Sequence, residues 1–406
     1  MTVSELDPRL IADQPGLAGA WASFRRRLGQ GELGSLPVLV GVAVIWAIFA
    51  IANPNFLTPG NLTNLVLQLA ATGTISLGVV LVLLLGEIDL SVGAVSGVTA
   101  AVVAVLNVDH GVAGWLAILI GLAAGAAIGA LQGFWVTRFR IPAFVVTLAG
   151  LLAWTGALLL VLGDTGTVNL TDSTIVGLAN TFFIPLYAWL LALLVAAAYA
   201  AAKLLERRRR VAAGLPIPPL RTIVTRMVVL TAGALAAAAV LAADRGLPLA
   251  LVIFTGLVAL VDLLIRRTRL GRHVLAVGGN AEAARRAGIR VDNVRLVVFT
   301  LASTLAAAGG ILAASRLFAV SQSSGASDTL LNAIAAAVIG GTSLWGGRGS
   351  AYSALLGGLV IFSISNGMDL LGVQSSTKFI VTGAVLLLAA TVDAVSRRGR
   401  QAAGRA

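Results

Sequence analysis

Trp115-Leu116-Ala117-Ile118-Leu119-Ile120-Gly121-Leu122-Ala123-Ala124-Gly125-Ala126-Ala127-Ile128-Gly129-Ala130-Leu131-Gln132-Gly133-Phe134-Trp135-Val136 carries no charge along its whole length. A helix needs about 20 apolar residues to cross the hydrocarbon core of a bilayer, and this stretch supplies them. Gly121, Gly125, Gly129 and Gly133 recur every fourth residue, which puts them on one helix face. Such a small-residue stripe lets a second backbone approach closely. The stretch therefore predicts a membrane helix whose glycines serve packing rather than substrate.

The same pattern extends in both directions. Apolar blocks lie near 35–52, 62–85, 90–107, 114–136, 142–162, 182–204, 224–243, 247–265, 295–314, 329–344, 350–367 and 376–394. Across the 406 residues, 58% are hydrophobic and 11% charged, against about 45–50% and 25% in a soluble domain. The expected fold is an all-α polytopic membrane protein of about 10–12 transmembrane helices. Short blocks with Gly or Pro interruptions mark candidates for broken or re-entrant helices. A membrane β-barrel would show alternating segments of about 10 residues instead.

The net charge of +12 would suit nucleic acid, but the charges sit in short runs between the apolar blocks, where they act as topology signals. With the N-terminus inside and sides alternating, all but Arg245, Arg316 and Lys378 of the 29 Lys and Arg fall on the inner side. Both termini are thus expected in the cytoplasm, and no nucleic-acid partner is expected. The polar opening, with Arg25, Arg26 and Arg27, lacks the apolar core of a signal peptide. It is assigned as a cytoplasmic tail over 1–34, followed by a transmembrane domain over 35–396 and a second tail over 397–406. Cysteine is absent, which excludes disulfides and thiolate chemistry.

Three segments carry chemistry. Gly86-Glu87-Ile88-Asp89-Leu90-Ser91-Val92-Gly93 places two carboxylates at a membrane boundary, where charge is costly unless solvated or paired. Either Asp89 or Ser91 caps the following helix, or Glu87, Asp89 and Ser91 line a pathway or gate. Gly340-Gly341-Thr342-Ser343-Leu344-Trp345-Gly346-Gly347-Arg348-Gly349 would let a helix end inside the protein and expose backbone to a polar cavity. It lacks the Gly-Lys-Ser/Thr ending of a phosphate-binding loop. Within the long inner connection 266–294, Gly279-Asn280-Ala281-Glu282-Ala283-Ala284-Arg285-Arg286-Ala287-Gly288 reads as a short helix between a turn and a glycine stop. The two histidines, His110 and His273, are expected on opposite sides of the membrane, and no HExxH occurs. No catalytic residue, metal site or bound cofactor is expected, and the chain is read as a non-enzyme.

The chain resembles the permease subunits of pentose and related sugar ABC importers, the ribose/xylose/galactoside type, from Leu36 to Arg398. The resemblance rests on Glu87 to Gly93, Ile141 to Gly150, Gly271-Arg272 with Ala276 to Asn280, Ala333 to Ala336 with Val338 to Leu344, and Asn366-Gly367-Met368. Extra length near Ala188 to Val261 is similar to that of the xylose-type members. The resemblance implies sugar import, of D-xylose or a related monosaccharide, across the plasma (inner) membrane. It also implies a cytoplasmic ABC ATPase that uses the ATP, an extracytoplasmic sugar-binding protein, and a permease dimer. Glu282, Ala283, Ala284 and Gly288, with Gly279 and Asn280, resemble the ATPase-coupling signature. Glu87, Asp89, Ser91, Thr342, Ser343 and Asn366 are the expected pathway or gate residues. An ion-coupled secondary sugar transporter is the alternative.

Overall fold

The computed structural model describes residues 36–215 and 220–402. The expected tail over 1–34, the proline-rich turn at 216–219 and the last residues, 403–406, lie outside the described residues. The helices run Leu36–Ala52 (α1), Pro59–Leu84 (α2), Val92–Val108 (α3), Gly114–Arg138 (α4), Ala143–Leu162 (α5), Ser173–Asn180 (α6), Pro185–Ala212 (α7) and Leu220–Ala243 (α8). They continue as Leu249–Arg267 (α9), Arg269–Gly279 (α10), Ala281–Arg286 (α11), Val291–Leu317 (α12), Ser327–Ile339 (α13), Tyr352–Leu370 (α14) and Ser375–Ala402 (α15). Short strands are Thr167–Asn169 (β1), Phe182–Phe183 (β2), Leu247–Pro248 (β3) and Ala319–Ser321 (β4). Among the described residues, 8 helices are long and apolar enough to cross a membrane, and shorter apolar helices lie at Val38–Ala52, Val92–Val108, Asp328–Ile339 and Ser375–Thr391. Together they coincide with the apolar blocks of the sequence. The last helix continues to Ala402, so the segment expected as a tail from 397 begins as its extension.

The chain divides into two compact units, one over Gly34–Thr181 and Pro248–Ala394, the other built on Phe182–Leu247. In the larger unit α2 and α12 are central, with 83% and 61% of their apolar stretches buried. The glycine stripe of α4 seats on α12 and on α3. Gly121 faces Val103 and Thr99, Gly125 faces Ala307 and Ser303, and a methyl group at Gly129 would lie 2.3 Å from the Phe299 carbonyl oxygen. Backbone contact this close is what the spacing predicts. In the smaller unit α7 and α8 pack on each other, and only 11% of each apolar stretch is buried.

Two helices of the larger unit are partial spans. At 1.5 Å per residue, α13 with its 13 residues is about 20 Å long and falls short of a core of about 30 Å. The 17-residue α3 starts inside the bundle: Ser91 lies beside Gly150, and Leu90 N donates to Thr147 Oγ1 at 3.1 Å, both partners on α5. The turn before α13 meets that start directly. Gly325, at φ +72°, has room for no Cβ because Gly93 O would lie at 2.1 Å. Non-helical backbone at such depth survives only where protein covers it.

The connection over 163–181 has structure of its own. β1 pairs antiparallel with β4, Val168 opposite Val320. Asp172 then caps α6, accepting from Thr174 N at 2.8 Å and Ile175 N at 3.1 Å. Burial works against its charge, yet those amides and the Asn107 side chain hold its carboxyl below the usual range.

Candidate functional site: two loops and a short helix

The three chemistry-bearing segments of the sequence meet at one end of the larger unit. The link is a backbone junction of glycines. Gly347 N donates to Leu84 O at 2.9 Å. A Cβ on Gly278, in α10, would lie 1.8 Å from Leu84 O and 2.6 Å from Gly347 N. A Cβ on Gly346 (φ +82°) would lie 2.6 Å from Gly278 O and 2.8 Å from Gly86 N. No other residue type fits at these positions. The loop after α2, the loop after α13 and the end of α10 therefore hold one another without intervening side chains.

From the junction the chain enters α11. Asn280 caps it, accepting from Ala283 N at 2.9 Å, and Gly288 leaves it at φ +85°, the stop that the sequence predicts. Glu282 bonds Arg285 and Arg286 at 3.2 Å each. Gly279, Asn280, Glu282, Ala283 and Gly288 are exposed. Ala284 is not: at 5% exposure it packs into its own chain. Its small size lets α11 sit close to the bundle and offers nothing to a partner, which corrects its place in the docking set.

After α11 the chain turns into α12, whose Arg295 pairs with Glu87 at 2.6 Å. Burial pushes the Glu87 carboxyl up, against the Arg295 guanidinium, which pulls it down. The pair borders a cavity of about 390 Å³, also lined by Thr137, Arg140, Arg285 and Asp292. Two residues further on, Asp89 is buried at 4% exposure. Its Oδ1 accepts from Ser91 N at 2.8 Å and Ser91 Oγ at 2.6 Å, while Gln132 Nε2 donates to Ser91 Oγ at 2.9 Å. Ser91 holds the N-cap position of α3 but makes no capping bond. The capping expectation thus gives way to an inward-facing polar cluster. Among the described residues, Asp89 Oδ2 has no hydrogen-bond partner.

Thr342 and Ser343 are buried in the loop after α13, and Ser343 N donates to Arg348 O at 3.0 Å. Asn366 stands apart from this site. It exchanges amide hydrogen bonds with Asn61 at 2.7 and 3.0 Å, near the start of α2. It sits roughly 20 Å along α14 from Ser353, at 1.5 Å per residue, and Ser353 is the residue that meets Gly340. Arg295, Gln132, Thr147 and Gly278 belong to the site and were not singled out from the sequence. Thr147 and Gly278 lie within stretches that carry the family resemblance, and Gln132 is the one polar side chain of the glycine-striped block.

Residues 61–390 match the family model described as branched-chain amino acid transport system / permease component. The chain belongs to that family. It is accordingly a multi-pass membrane protein of permease type, and its fold is all-α. It is 36% identical over 368 residues to the xylose transport system permease protein XylH of Escherichia coli K12, covering 90% of this chain and 93% of that one. The corresponding permease of Haemophilus influenzae is 34% identical, over 89% of this chain and 96% of its own. The ribose import permease protein RbsC of Bacillus subtilis is 33% identical, over 90% and 94%. No solved structure matches the chain significantly.

Proposed function

We propose that this chain is the membrane-spanning permease of an ATP-driven sugar importer, forming the translocation pathway for D-xylose or a related monosaccharide. The observation that carries the reading is the glycine junction. The end of α10, which leads directly into the exposed α11, is locked backbone to backbone to two loops that lead into the bundle. A push on α11 therefore has a rigid path to the partial helix α3. The first arm runs through Gly278, Gly346 and Gly86, and the second through α12, Arg295 and Glu87. In this reading a cytoplasmic ATPase seats on Gly279, Asn280, Glu282, Ala283 and Gly288 and supplies the ATP chemistry, so this chain binds no cofactor. Glu87, Asp89, Ser91, Thr342 and Ser343 belong to the gate. Asn366 lies at the opposite end and serves the outer part of the pathway.

The distribution of Lys and Arg supports an orientation with α11 and both termini in the cytoplasm. Two copies forming one pathway, fed by an extracytoplasmic sugar-binding protein, complete the importer. The xylose reading leans on the relatives named above, whose own names include ribose as well.

Reconstitution tests the proposal. Proteoliposomes holding the permease, its ATPase and its binding protein are expected to accumulate labelled xylose only with ATP, and to continue when ionophores collapse proton and sodium gradients. Accumulation by this chain alone under an ion gradient would establish the ion-coupled alternative instead. In the same system Ala283→Trp is expected to abolish ATPase co-purification and uptake at unchanged melting temperature. Retention of both would remove α11 as the docking element.

A further inference from the structure

The charged end of the α7–α8 hairpin plays no part in the site above. There Tyr199, Lys203, Glu206, Arg207 and Arg210 of α7 and Ile223 and Arg226 of α8 enclose a cavity of about 180 Å³. Tyr199, Lys203, Glu206 with Arg207, and Arg210 follow one another at three- and four-residue steps, so they occupy one face of α7. Ile223 and Arg226 answer them from α8 with the same step.

The charge in this cavity is unbalanced. Glu206 is its one carboxylate, and it bonds Lys203 at 2.8 Å and Arg210 at 3.1 Å. Arg207 and Arg226 have no ion-pair partner among the described residues. Topology alone needs basic residues on one side of the membrane, but it does not need them on a shared face around a cavity. Two guanidiniums facing one space are suited to an oxyanion, and a phosphate takes their paired N–H groups well.

The rest of the hairpin says which phosphate. Leu190, Leu193 and Leu194 of α7 and Val224, Val228 and Val229 of α8 are exposed along the shaft. They give acyl chains a surface to lie on while the headgroup reaches the cations. Tyr199, the lining residue of α7 next to its apolar shaft in sequence, has the ring-and-hydroxyl character that settles at the headgroup level. Basic pockets between membrane helices are recognised sites for acidic headgroups. We propose that Lys203, Arg207, Arg210 and Arg226 form a binding site for the phosphate of an anionic phospholipid.

The test uses the full-length protein in detergent, with bound lipid counted by native mass spectrometry during titration with phosphatidylglycerol or phosphatidylcholine. Phosphatidylglycerol is expected to bind the parent chain with clear preference. Arg207→Gln with Arg226→Gln should weaken it about thirtyfold, the scale of two basic contacts near a membrane surface. Arg208→Gln with Arg209→Gln removes equal charge from residues that do not line the cavity, and should leave binding within about threefold, under ~1 kcal/mol. Lysine at 207 and 226 should restore most of the loss, which separates charge from folding. Equal losses in the two double glutamine variants would reduce the site to diffuse surface attraction and overturn it. So would competition by inorganic phosphate at millimolar concentration, which would mark a free-anion site. Absent lipid preference, together with loss of ATPase co-purification in the Arg207/Arg226 variant, would assign the patch to a protein partner and equally overturn the proposal.

Discussion

The pair α2 and α12 and the pair α7 and α8 are almost equally apolar, with mean hydropathies of 2.1, 2.0, 2.0 and 2.0 over their best stretches. Burial separates them completely, at 83% and 61% against 11% and 11%. The difference lies in glycine and serine, of which α8 has only Gly233. α2 carries Gly73, Thr74, Ser76 and Gly78, and α12 carries Ser303, Gly309, Gly310 and Ser315. α7 has no Gly, Ser or Thr at all. In a bilayer the lipid tails are as apolar as leucine, so hydrophobicity drives insertion but gives one helix no reason to choose another. Association comes from close backbone approach and hydroxyl bonds between helices, such as Ser76 Oγ to Ala333 O at 2.8 Å. Total hydropathy and packing are separate messages written in different residues.

The sharpest way to break this comparison is to make one substitution in both regions. Gly129→Leu forces a side chain where Phe299 O already lies 2.3 Å from the Cβ position. Backbone cannot give way as a flexible side chain does, so a loss of at least about 3 kcal/mol, the upper range of overpacking, is expected. Heated size-exclusion chromatography in detergent should show little folded protein. A melting temperature close to the parent's would mean that the stripe is not a packing seam.

The ion pair at the loop comes next in size. Removing Glu87 leaves Arg295 partly buried, with its Nε already without a partner. Glu87→Ala is expected to cost about 2 kcal/mol, the range for orphaning a buried charged group. Adding Arg295→Ala should recover part of the loss. A double-mutant cycle with coupling below about 0.5 kcal/mol would show that the two residues do not act together. The smallest effect belongs to the hairpin. No atom lies within 4 Å of a Cβ placed on Gly233 of α8. Gly233→Leu is therefore expected to change stability by less than about 1 kcal/mol, toward stabilisation, since leucine favours the helix over glycine by that much. Marked destabilisation would reveal a packing partner for this face.

Much of the fold was legible before any coordinates. The apolar blocks became helices nearly at their expected ends because insertion depends on local runs of residues. The turn before α11 and the Gly288 stop were legible for the same reason, being set within a single turn, whereas Asn280 as the capping residue came from the structure. The glycine stripe announced a close neighbour without naming it. Its partners, Phe299 and Ser303 on α12, lie some 170 residues further along the chain, and nothing local encodes that pairing.

The sequence by itself determined the all-α membrane class, the placement of charge between spans and the short capped helix, since each follows from neighbours within a few residues. Only the tertiary structure decided that Gly86, Gly278 and Gly346 share one junction. It also turned Ala284 inward, made Asp89 part of a buried cluster with Gln132, separated Asn366 from the site, and gave Glu87 its partner in Arg295. These are contacts between distant segments. They are settled by which surfaces pack without voids once the helices are inserted, and several chain paths share the same hydropathy profile.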